Sequence, residues 1–128
     1  LGLKEADAWG HRFTYRVTSV FAVAPLMTSN GTIRVFPAAG APNQITNTNE
    51  IVAILISHGR HAEGAWGKTG VKLPNSTDTD ELENSNADAS FVDHANTATQ
   101  SNSPYDDLVM WIPRSLVINK LVASGRLP

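Results

Sequence analysis

The chain contains no cysteine. That excludes disulfides, thiolate metal sites and cysteine nucleophiles together, and it leaves the redox compartment open. No apolar run approaches the roughly 18 residues that a membrane-spanning helix needs. Charge of either sign is scarce in sum: the net charge is −2 over 128 residues, too little to argue for a nucleic-acid or membrane-surface partner. The ten Lys and Arg are spread along the chain and form no basic stripe of the kind nucleic-acid binding requires. One absence is local. From Leu73 to Pro113 there is no Lys or Arg, while eight carboxylates stand there: Asp78, Asp80, Glu81, Glu83, Asp88, Asp93, Asp106 and Asp107. Neither a signal peptide nor a lipidation motif is recognisable. The sequence begins at Leu1 in mid-pattern, as a processed fragment would.

The length suits one domain, residues 1–128, with one real core. Its organising stretch is the last, Tyr105 to Pro128. Leu108 to Ile112 is a short apolar run, the length of a buried strand, and is expected among the inner strands of the sheet. Pro113 lacks an N–H, so it stops a ladder, and its fixed φ suits the first turn of a helix. Arg114 to Ser124 then carries Leu116, Val117, Ile118, Leu121 and Val122 in a broad apolar stripe. Gly125 stands at the C-cap position.

Upstream, His11 to Val17 alternates, with Phe13, Tyr15 and Val17 on one face and Arg12, Thr14 and Arg16 on the other. That pattern predicts a half-buried strand. Val20 to Ala24 reads as a second short strand or an edge. Asn30-Gly31 signals a tight turn, and Thr32 to Phe36 alternates again. Glu50 to Ser57 carries six apolar residues without a break, which predicts a central strand buried on both faces. His58 to Pro104 reads as a long loop, with Phe91-Val92 its one piece of strand material. The fold class is α+β: a small antiparallel β-sheet of four or five strands with long loops and a short C-terminal helix.

The residues able to do chemistry are few. His58, His61 and Glu63 have zinc-compatible donors, but they lack the HExxH spacing and a helix to fix them, and so read as exposed loop residues. Ser57 and His58 are adjacent, and neighbours on a strand point to opposite faces, so they make no nucleophile–base pair. There is no G-x-S-x-G elbow. Paired carboxylates suitable for a glycosidase are present in number, and a solvated loop explains them more simply. The expectation is a non-enzyme. Trp9 and Trp111 are flanked by strand residues and read as core, which leaves Trp66 as the exposed tryptophan.

Three segments carry a resemblance. Asp7, Trp9, Gly10, Tyr15 and Val17 fit a D-x-W-G-x-x-x-x-Y-x-V entry to a first strand. Ser57, His58, Gly59 and Gly64 fit a strand-and-turn segment. Asp106, Asp107, Leu108, Val109 and Trp111 fit a late D-D-L-V-x-W strand. In this order they resemble bacterial type IV pilin-like proteins, the prepilin-type subunits of type IV pili and of type II secretion pseudopili. The resemblance implies a structural subunit of a surface or periplasmic filament, exported to the bacterial cell envelope, whose partners are other pilin or pseudopilin subunits. It also implies a leader and a long apolar helix reaching the inner membrane, which this sequence does not contain, so the chain would be the soluble head. The alternative is a secreted carbohydrate-binding or adhesin-type module using Trp66 and the acidic segment. Major pseudopilins bind calcium just ahead of a late Trp through adjacent aspartates, which makes Asp106 and Asp107 calcium candidates, with Asp78 to Asp88 expected nearby. The opposing expectation is a bare acidic loop, with Asp107 paired to Arg12 or Arg16 or capping the sheet edge. No other cofactor is implied.

Overall fold

The computed structural model of the protein describes residues 4–97 and 104–128. In chain order the elements are β1 (His11–Arg12), β2 (Thr14–Val17), α1 (Ser19–Val23), β3 (Arg34–Phe36), β4 (Ile51–Ser57), β5 (Trp66–Gly67), α2 (Thr79–Ser85), β6 (Ser90–Val92), β7 (Leu108–Pro113) and α3 (Arg114–Ala123). The architecture is mixed α and β, with antiparallel sheets and a short C-terminal helix.

β4 is the centre. Its continuous apolar run forms the middle strand of a three-stranded antiparallel sheet in the order β2-β4-β7. Arg16, Ile54 and Trp111 stand opposite one another in register, as do Tyr15, Leu55 and Met110. Side chains alternate across a strand, so these two rows face opposite ways. Ile54 and Ile56 pack with Ile33, Val35, Ile51 and Phe91 in the core, and Val109 and Trp111 lie against them. The register shifts between Ile51 and Ala53. That shift lets Ile51 join the core although it is an odd number of positions from Ile54.

The remaining strands are short. β3 and β6 pair in parallel, with Val35 opposite Phe91, and a bridge between Ile33 and Ile51 links them to β4. β1 pairs antiparallel with β5. The expected single antiparallel sheet is therefore three small ones, with one parallel pairing. The strand expected over His11 to Val17 breaks at Phe13, because its two halves pair with different partners.

α3 begins after Pro113. Glu50 Oε1 accepts from Ser115 Oγ at 3.0 Å and covers the helix start, and Arg114 donates to the Met27 and Ser29 carbonyls. Gly125, at φ 72°, closes the far end. Its N–H reaches Val122 O at 3.0 Å and the Arg126 N–H reaches Leu121 O at 2.9 Å, the paired C-cap bonds that a left-handed residue makes possible.

Two local readings fail for tertiary reasons. Val20 to Ala24 is not a strand but the short helix α1. Both edges of β4 are already taken by β2 and β7, so this segment has no ladder to join there. Asn30-Gly31 makes no hairpin. The Gly31 N–H bonds to Asn49 O at 2.9 Å, and a side chain at Gly31 would collide with the Ile51 carbonyl. Glycine is used there for close backbone approach.

Candidate functional site

The segment expected to be a solvated acidic loop is largely structured. Asp78 Oδ1 accepts from the Asp80 and Glu81 amides at 2.9 and 3.2 Å and starts α2. The sequence signal was Asp-x-x-Glu, a helix-start pattern hidden among many acids. Glu81 and Asn84 are the buried residues of α2, one turn apart on one face. That face meets the chain as it enters β7. The Asp106 amide donates to Glu81 Oε1 at 2.9 Å, and Asn84 Nδ2 donates to Asp107 Oδ2 at 2.9 Å.

The result is a cluster of three buried carboxylates. Glu81, Asp106 and Asp107 are 1, 5 and 5 % exposed, and one oxygen from each lies within 4.8 Å of the others. Each acid has one oxygen committed and one without a hydrogen-bond partner: Glu81 Oε2, Asp106 Oδ1 and Asp107 Oδ1. The committed oxygen of Asp106, Oδ2, takes the Arg60 amide at 2.9 Å, the His61 amide at 3.1 Å and His61 Nδ1 at 2.7 Å. His58 is 1 % exposed and holds Thr14 Oγ1 through Nε2 at 2.7 Å. Its Nδ1 lies 3.3 Å from Asp107 Oδ1, too poorly aligned for a hydrogen bond.

The electrostatics follow from burial. Desolvation pushes the Glu81 carboxyl up to about 8, and the nearby Asp107 and Asp106 charges add to the rise against the pull of the Asp106 amide. Burial, with Asp107 second, also drives the Tyr105 hydroxyl well above its usual range. Tyr105 Oη donates to Val92 O at 2.8 Å beside Asn84. Like charges this close in a low dielectric are stable only with a proton or a cation among them. Calcium accepts six to eight oxygens, carboxylate and carbonyl, and the three unpartnered oxygens offer the charged part of such a set.

Asp106 and Asp107 both belong to this cluster, and its third member, Glu81, comes from the Asp78 to Asp88 segment expected nearby, where no single residue had been singled out. The expected partner of Asp107 was wrong. Arg12 pairs with Glu5 at 3.0 Å, Arg16 donates to Ala87 O at 3.0 Å, and Asp107 faces His58 and Asn84. The histidines are not all exposed loop residues either, since His58 is buried. His58, His61 and Glu63 do not converge. Glu63 accepts from Ser76 Oγ at 2.5 Å, while the two histidines turn to different aspartates. Residues 98–103, at the end of the acidic segment, lie outside the described residues.

Gly59 is pinned against this centre. Its φ is +61°, and a Cβ there would collide with the Asp106 carbonyl and carboxylate. Gly59→Ala is expected to cost well over about 1 kcal/mol, from strain and collision together. Gly70→Ala, at φ +81° with open space around it, is the control that carries backbone strain only. Thermal melts of the two variants check this, and equal losses would contradict the collision.

A second feature lies on the far face of the main sheet. Tyr15 is 65 % and Met110 62 % exposed, and Leu55 between them is half-buried. Leu108 and Ile112 extend the apolar row along β7, both exposed. The face expected to bury Tyr15 is open because the core lies on the other side, beneath Ile54 and Ile56. Asp7 leads the chain to this face. Its Oδ2 accepts from Ser57 Oγ at 2.7 Å, and Ser57 shares the strand parity of Leu55. Its Oδ1 accepts the Trp9 and His11 amides at 3.0 and 2.9 Å. Burial would raise the Asp7 carboxyl, but the bonds from Ser57, His11 and Trp9 outweigh it and hold it below its usual value. Trp9, expected in the core, is 46 % exposed on the turn that these bonds shape.

Among the described residues no helix is long and apolar enough to cross a membrane. Comparison with models of known protein families, with curated proteins and with solved structures found no match to this chain.

Proposed function

We propose that this chain is the globular head of a type IV pilin-like or pseudopilin subunit, a structural and non-enzymatic building block of a filament of the bacterial cell envelope. The observation that carries the reading is the open apolar sheet face. Tyr15, Leu55 and Met110 form one cross-strand row, with Leu108 and Ile112 beside it. Contiguous apolar surface of this kind marks a docking site. Its occupant is an apolar helix from the segment ahead of Leu1, because Asp7, bonded to Ser57, delivers the chain onto this same face.

The test uses the subunit as its gene encodes it. Tyr15→Lys with Met110→Lys should leave the melting of the head nearly unchanged, within about 0.5 kcal/mol per site, since both side chains are exposed. Recovery of the subunit in sheared filament fractions should fall to background. Normal assembly of the double variant, or no filament from the parent chain, would count against the reading.

Within this reading the acidic centre is a structural calcium site. Glu81, Asp106 and Asp107 would hold the ion and neutralise a segment that otherwise repels itself. In return the ion would tie α2 to the start of β7. No reaction is assigned to it.

A further inference from the structure

Beside the outer edge of β2 lies a cleft of about 310 Å³, at the lower end of the roughly 300–1,000 Å³ typical of small-molecule sites. Three separate segments wall it: β2 with Thr14 and Arg16, the β5 turn with Trp66 and Lys72, and the connection from α2 to β6 with Asp88. Phe91 also lines it. The cleft adjoins the open apolar face, because Tyr15 of that face also lines its rim, while Trp66, Lys72 and Asp88 belong to the cleft alone.

Its chemistry is specific. Trp66 is 49 % exposed and lines the cleft from a short strand. An indole that is half-exposed in a concave wall offers a flat apolar platform, the complement of the C–H face of a pyranose ring. Arg16 is anchored at the wall by one N–H to Ala87 O, which leaves most of its five donors directed elsewhere. Lys72 is exposed and has no ion pair among the described residues. Asp88 supplies the acceptors. It already takes the Ser90 amide at 2.7 Å, which fixes its position. The cleft therefore sets two cations against one carboxylate around an aromatic platform.

We propose that this cleft binds an anionic pyranose, a hexuronic-acid residue stacked on Trp66 with its carboxylate toward Arg16 and Lys72 and its hydroxyls toward Asp88. A planar carboxylate suits the guanidinium fork, and the ammonium of Lys72 adds charge without constraining geometry. The proposal joins two features that are far apart in sequence, the exposed tryptophan and the acidic segment.

The experiment titrates the folded chain with a four-residue galacturonate and with the same oligomer methyl-esterified, which keeps the rings and removes the charge. Binding is read by calorimetry and by the Trp66 indole N–H in heteronuclear NMR spectra. The acidic oligomer should shift that resonance and bind at least about tenfold more tightly than the ester, a difference of about 1.4 kcal/mol. Trp66→Ala should abolish binding of both, Lys72→Ala should reduce the preference for acid, and Trp9→Ala should change neither. No binding at millimolar sugar, equal binding of acid and ester, or unchanged binding by Trp66→Ala would each overturn the proposal.

Discussion

Ile54→Asp is expected to leave the chain unfolded. Ile54 is 1 % exposed in the middle of β4, opposite Arg16 on one side and Trp111 on the other. Replacing it removes about 1.5–3 kcal/mol of apolar burial. It also places a carboxylate in the core cluster of Ile33, Val35, Ile51, Ile56 and Phe91, at a cost of several kcal/mol more. A domain of ordinary stability has only about 5–15 kcal/mol to lose. The neighbouring Leu55→Asp is the informative contrast. Leu55 is half-buried on the open face, and a charge there keeps its water. That variant should fold and melt cooperatively, with a loss of a few kcal/mol at most. Circular dichroism melts of the pair decide the matter. A cooperative Ile54→Asp melt would show that β4 is not the centre of the core, and an unfolded Leu55→Asp would show that the second face is covered.

The second expected result is a fall in stability as pH rises, with the sign set by Glu81. Its carboxyl titrates near 4.5 when unfolded and is pushed up to about 8 in the fold. Between those values the native state holds a proton that the unfolded state has lost. Stability therefore declines as pH rises from about 4.5 to 8 and levels off above. In chelator the melting temperature should drop by several degrees between pH 5 and pH 8. Glu81→Gln should flatten that profile and be the more stable chain at pH 8, since the neutral side chain ends the repulsion by Asp106 and Asp107. Calcium should do the same for the parent by displacing the proton. A hundredfold excess over Kd contributes about 2.7 kcal/mol, which is several degrees for a chain of this size. The calcium shift should grow with pH, because proton and ion compete for one site, and Asp107→Ala should remove it. A pH profile that Glu81→Gln leaves unchanged would overturn the assignment of the proton. Equal melts in calcium and chelator at pH 8 would overturn the ion site.

The main sheet was legible because its signals are local and strong. A continuous apolar run from Ile51 to Ile56 needs burial on both faces wherever it lies, and β4 became the middle strand. The order Leu108 to Ile112, Pro113, apolar helix and Gly125 sets strand, stop, helix and cap by backbone chemistry, and all four appear in sequence order. But β7 is an edge strand and not an inner one: it pairs with β4 as far as Pro113 and leaves Leu108, Met110 and Ile112 exposed. Asp106 and Asp107 were singled out only through the resemblance to pseudopilins; the residues by themselves read as two acids of a loop.

What only the tertiary structure decided concerns partners. Alternation at Tyr15 shows that β2 has two faces, but which face meets the core depends on where Ile54 and Ile56 point, and Tyr15 came out on the open side. Val20 to Ala24 is apolar enough for a strand and became α1 because β2 and β7 already fill the edges of β4. Asn30-Gly31 carries a turn signal, yet its glycine serves a close approach to Ile51 across a distant segment. Glu81 read as one acid among eight. Its burial against Asp106 depends on α2 folding back onto the start of β7, a contact across 25 positions of chain. Local pattern sets which backbone a segment can form, whereas the burial of a charge is set by whatever the rest of the chain brings against it.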